Sequence, residues 1–155
     1  MIVAAFVLPA LLAVMLQTRW FHWDPSTTRN RGELIAPVIA MAGDAQAASV
    51  FADGHRWSVL VRLPAICDAG CERRIVLLGN IREAQGKEMD RVHLVAWPAA
   101  GVAPPSAFTA WQPPSALAEQ LMLAEGAVVL VDPAGNAMMR YRVDADPTDV
   151  RKDLA

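Results

Sequence analysis

The sequence predicts an α/β domain carried behind a single amino-terminal transmembrane helix. Residues 1–16 are one apolar run interrupted only by Pro9. After it, short β-branched runs alternate with runs at helical spacing that open on capping or turn residues. The chain has 155 residues, room for one domain and an anchor but not for two full domains. Its composition, 54% hydrophobic and 19% charged, is more apolar and less charged than the globular average, and much of that bias sits at the amino end. The net charge of -2 carries no basic block, which excludes the usual electrostatic footprint of a nucleic-acid binder. Two cysteines are too few for a disulfide-stapled scaffold, so the pair is a site candidate rather than a framework.

The anchor is expected over residues 1–20, since about 20 predominantly apolar residues cross a bilayer. Trp20, Phe21 and Trp23 then read as an interfacial belt. A cleaved signal peptide and a buried core helix are the alternatives; the absence of a small-x-small site after the run counts against cleavage. Arg19, Arg29 and Arg31 follow the run and no Lys or Arg precedes it, which by the positive-inside rule argues for a cytoplasmic body. Residues 24–37 are polar and rich in turn formers, so a linker is expected over 21–40, with residues 33–39 able to form an edge strand. The folded domain is expected over 41–155.

Within that domain residues 40–52 are ambiguous, and Asp53-Gly54 is a hairpin-turn signal. Residues 57–63 (WSVLVRL) form a strand. Ile75, Leu78 and Ile81 lie at helical spacing in a run over 71–86, with Gly86 as its stop. Residues 91–97 form a second strand, ended by Pro98. Pro113 and Pro114 open a helix running to 124, with Ser115 as the expected N-cap. Residues 127–131 and 137–143 form a hairpin around the turn at 132–136. A last helix spans 147–154, with Asp146 as N-cap and Pro147 in its first position. Strand, helix, strand, helix, strand, strand, helix is the thioredoxin-like order, a three-layer fold. Cys67 and Cys71 then fall where the first central strand meets the next helix, the place where open α/β sheets build sites.

A cysteine at a helix start meets unpaired N–H groups and the positive end of the dipole, which favour a thiolate. Cys67 and Cys71 in one regular helix would lie roughly 5–6 Å apart at Cβ, too far for a disulfide. With Cys67 in the turn ahead of the helix, and Gly70 between them, a reversible disulfide becomes feasible. Two thiolates at this spacing also suit Cu(I). The bland alternative is two buried cysteines acting as small hydrophobes, against which the flanking Asp68, Glu72, Arg73 and Arg74 stand. Asp68 either raises the thiol pKa of Cys67 or caps the helix.

The Cys-x-x-x-Cys motif after an apolar strand resembles that of the Sco/SenC copper proteins of cytochrome c oxidase assembly. Three further stretches resemble a bacterial Sco-like subgroup: STTRNRGELI at 26–35, GKEMDRV at 86–92 and VDPAGNAMMRY at 131–141. The resemblance implies a periplasmic body on a single-pass inner-membrane anchor, against the charge count. It implies Cys67 and Cys71 as the catalytic thiols of exchange and as copper ligands. Cys67 would be the more exposed and more nucleophilic of the two. The copper-binding subunit of the oxidase, or another assembly factor, would be the partner. One departure is plain. The family's ligating histidine would fall near Ala124, and none is there: His22, His55 and His93 all lie elsewhere. His55 is expected in solvent and His93 in a strand. Ordinary thioredoxins also place a proline before the strand opposite the cysteines, where this chain has Gly126-Ala127. A non-catalytic thioredoxin-like scaffold is therefore the second reading, and a peroxidase-like thiol enzyme a third.

Overall fold

The computed structural model describes residues 7–9, 29–43 and 45–154. The expected anchor at 1–20 lies outside the described residues except for 7–9, which are helical; among the described residues no helix is long and apolar enough to cross a membrane.

Six strands form one sheet: β1 (Glu33–Ala40), β2 (Trp57–Arg62), β3 (Val92–Trp97), β4 (Thr109–Ala110), β5 (Val128–Val131) and β6 (Asn136–Tyr141). Their order is β1-β6-β5-β2-β3-β4. β2, β3 and β4 run parallel, while β5 is antiparallel to β2 and to β6, and β1 to β6. Four helices cover it: α1 (Ala45–Phe51), α2 (Ala69–Glu83), α3 (Ser115–Leu121) and α4 (Pro147–Leu154). The central strands are buried on both faces, which is why they read as continuous apolar runs. Alternate residues of each strand enter opposite cores. Val59, Val61, Leu94, Ala96, Val128 and Leu130 pack with Leu78 and Ile81 of α2 and Val150 of α4. Leu60, Val95, Val129 and Val131 pack with Ala47 and Phe51 of α1 and Leu121 of α3. Each fully buried Val, Leu or Phe among them contributes about 1.5–3 kcal/mol. The three layers expected from the element order are thus present.

Several boundaries differ from the sequence reading. Residues 33–40 are not linker but the edge strand β1, so the folded body begins before residue 41. Asp53-Gly54 joins α1 to β2 rather than two strands. Its Asp53 Oδ1 accepts the N–H groups of His55 and Arg56 at 3.0 and 2.9 Å, and Gly54 adopts φ +77°. The helix after Cys67 starts at Ala69 and ends at Glu83, and Gly86 opens a separate 3-10 turn, Gly86–Arg91. α3 stops at Leu121 because Met122 turns left-handed (φ 42°), and Pro114, not Ser115, holds its N-cap position. Asp146 does cap α4, its Oδ1 accepting the Thr148 N–H at 2.9 Å. α1 and β4, which no sequence signal marked, place Phe51 and Trp111 edge to face, with ring centroids 4.7 Å apart.

Candidate functional site

β2 delivers the chain to the site. Its ladder continues one residue past Arg62, where the Leu63 N–H donates to the Trp97 carbonyl at 2.8 Å. Pro64 then breaks the strand, and residues 64–68 form an exposed turn in which Ile66 is 86% accessible. Asp68 ends the turn and starts α2. Its side chain accepts the Cys71 N–H at 2.8 Å, and its carbonyl accepts the Glu72 N–H at 2.9 Å. Cys67 therefore stands outside the helix and Cys71 in its first turn. Their Cα atoms are 5.2 Å apart and the two sulfurs are joined as a disulfide, a separation within the ordinary range for such bonds. Cys67 is exposed and Cys71 half-buried, so the disulfide joins an exposed residue to one that lines the body's surface groove.

A groove of about 380 Å³ runs beside Cys71. Its floor comes from Val61, Leu63 and Ile75, and its rim from Ile66, Arg74, Glu125 and Val143. Gly126 closes it: its N–H donates to the Arg62 carbonyl at 2.7 Å, and its φ is +78°. A Cβ at that position would meet Val143 Cγ2 at 2.8 Å. The loop before β5 thus does face the cysteines, and glycine stands there because the backbone is left-handed and the neighbour is close. Arg74 Nη2 donates to the Val143 carbonyl and, at 3.3 Å, to that of Ala145. Burial pulls its pKa down and Asp144 opposes that shift.

Neither described histidine joins the cysteine pair. His55 is exposed beside the Asp53 turn. His93 is half-buried on β3, with Nδ1 3.3 Å from the Val50 carbonyl and Nε2 2.8 Å from Thr109 Oγ1. His22 lies outside the described residues. Among the described residues no three His, Cys, Asp or Glu side chains are grouped to hold a metal. A copper site of two sulfurs and one imidazole does not fit these residues. The oxygens that share the groove with Cys71, from Asp68 and Glu125, are hard donors with little preference for Cu(I). Ile66, Arg74, Glu125 and Val143 were not singled out as groove residues in the sequence. Arg74 was foreseeable, lying one turn past Cys71 on the same face; the others reach the groove through tertiary contacts alone.

Comparison with known proteins follows the same outline. The chain matches the family described as transmembrane-like, thioredoxin-like, C-terminal domain over residues 57–155. No curated protein sequence matches it. Among solved structures, one described as Trgpx in apo form aligns with a TM-score of 0.49 and 13% identity, over 76% of this chain and 88% of its own. A SCO1/SenC family lipoprotein from Bacillus anthracis aligns at 0.47 and 11%, over 65% and 80%. The Bradyrhizobium japonicum ScoI with copper bound aligns at 0.47 and 13%, over 68% and 85%. The family match spans everything from β2 to the carboxyl end, the cysteine pair included, and the chain belongs to this transmembrane-like, thioredoxin-like family.

Proposed function

We propose that the protein is a membrane-tethered, Sco-like thiol–disulfide exchange protein that assists maturation of the copper-binding subunit of cytochrome c oxidase, with its body in the periplasm. The observation that carries this reading is the exposed Cys67 bonded to the half-buried Cys71 at the helix start, beside an open groove. An exposed cysteine is within reach of a partner thiolate, and the groove gives the partner chain a place to lie. The sequence resemblance around the cysteines and at 26–35, 86–92 and 131–141 supplies the biological setting. Copper enters this reading only as cargo, to which the two reduced thiols would offer two soft ligands.

In cells, Cys67→Ser and Cys71→Ser each lower the copper content of the oxidase severalfold, measured on purified membranes. Unchanged copper in both variants defeats the proposal. That no three His, Cys, Asp or Glu side chains are grouped among the described residues favours a second reading, a scaffold that only binds an assembly partner. Titrating the reduced full-length protein with Cu(I) separates the two. No stoichiometric binding, together with a pair that cannot be cycled, selects the scaffold.

A further inference from the structure

We infer, on the exchange reading above, that Asp68 sets the redox bias of the cysteine pair and makes it an electron donor to its partner. Asp68 lies between the two cysteines and its Oδ1 accepts the Cys71 N–H at 2.8 Å. Gly70 leaves room for this arrangement, since a Cβ there would come within 3.3 Å of the same oxygen. A thiolate at a helix start is ordinarily stabilised by such an N–H and by the positive end of the dipole. Here a carboxylate has taken that N–H and placed a negative charge in the turn that holds both sulfurs. The charged side chains that line the groove do not cancel it: Glu125 adds a second carboxylate, and the one cation, Arg74, hydrogen-bonds the Val143 and Ala145 carbonyls. A dithiol form deprived of thiolate stabilisation is less favoured against its disulfide, which lowers the reduction potential.

The direction of the chemistry follows. In the dithiol form the Cys67 thiolate attacks one sulfur of a partner disulfide. A mixed disulfide forms and the other partner sulfur leaves as a thiolate. Cys71, as thiolate, then attacks Cys67 Sγ, forming the Cys67–Cys71 bond and releasing the second partner sulfur. Two electrons pass to the partner, which ends as a dithiol able to take up a soft metal ion. The disulfide seen here is the spent form, and an upstream dithiol reductant must regenerate it by the reverse exchange.

The test uses the full-length protein in detergent, with Asp68→Asn and Asp68→Ala, equilibrated in glutathione and dithiothreitol buffers and scored by thiol alkylation and intact mass. Asparagine keeps the cap and removes the charge. Asp68→Asn is expected to shift the equilibrium about three- to tenfold toward the dithiol, tenfold being about 30 mV, and the thiolate absorbance appears at lower pH. Thermal stability changes little in Asp68→Asn and falls in Asp68→Ala. A potential unmoved in Asp68→Asn overturns the inference and leaves Asp68 a plain cap, whatever Asp68→Ala does. The potential is measured without a partner, so that failure is distinct from failure of the exchange reading, which the cysteine variants report through oxidase copper.

Discussion

His93, which the sequence places in a strand away from the family's ligand position, has a structural role in the fold. Its ring is held between the Val50 carbonyl and the Thr109 hydroxyl, bracing β3 against the end of α1 and against β4. Burial, with Arg56 adding to it, pushes its pKa below the ordinary histidine value. The neutral ring is therefore the folded form. Its contribution to stability is complete above the unfolded value of about 6.5 and is lost as pH falls through the lower folded value. Chemical denaturation at stepped pH is expected to show stability declining below about 6.5, with a shallower decline in His93→Gln. Equal slopes in the two proteins would remove His93 from the account.

At the scale of elements, the strand-to-helix passage from β2 to α2 was the most legible part of the chain. Residues 57–63 carry a β-branched run that only a buried strand explains, and Asp68 with Gly70 marks a helix start. Both depend on local chemistry, so both survive in sequence. β1 was legible only in outline, as an edge strand within an expected linker, and β4 not at all, for the opposite reason. β1 is an edge strand interrupted by Pro37 and by a register shift between Leu34 and Ile39, and β4 has only two residues. Such strands exist because a neighbour pairs with them, not because their residues demand it. The groove belongs to the same class. Gly126 reads in sequence as an absent proline, whereas in the fold it is a left-handed residue packed on Val143. Gly126→Ala is expected to destabilise the protein by about 1–2 kcal/mol from the backbone alone, read by urea denaturation, and more through the Val143 contact. An unchanged midpoint would show that this loop is free to relax.

At the scale of the molecule, the two ends of the described body are tied together beneath β6. Asp153 of α4 accepts the Tyr141 hydroxyl at 2.8 Å and the N–H groups of Arg31 and Gly32 at 2.9 Å each. Gly32 lies on the Tyr141 ring, where a Cβ would come within 2.8 Å of the ring carbons. Two of the stretches that carry the family resemblance, the first in its described part 29–35 and the other at 131–141, meet at this point. Their role here is structural, fixing how β1 enters the sheet beside β6. Tyr141→Phe is expected to cost about 1.5–3 kcal/mol, the value of a hydrogen bond to a charged acceptor. Gly32→Ala is expected to cost more, because backbone and ring must part; thermal denaturation of both variants checks the order. None of this reaches the sulfurs, so each variant keeps the wild-type redox midpoint. A reversible cysteine pair at the end of β2 is tested most directly by a redox titration of the wild-type protein, with native-state thiol labelling scored by intact mass. One two-electron transition is expected, in which both thiols become reactive while the fold persists. A bond that resists reduction until the protein unfolds would contradict it.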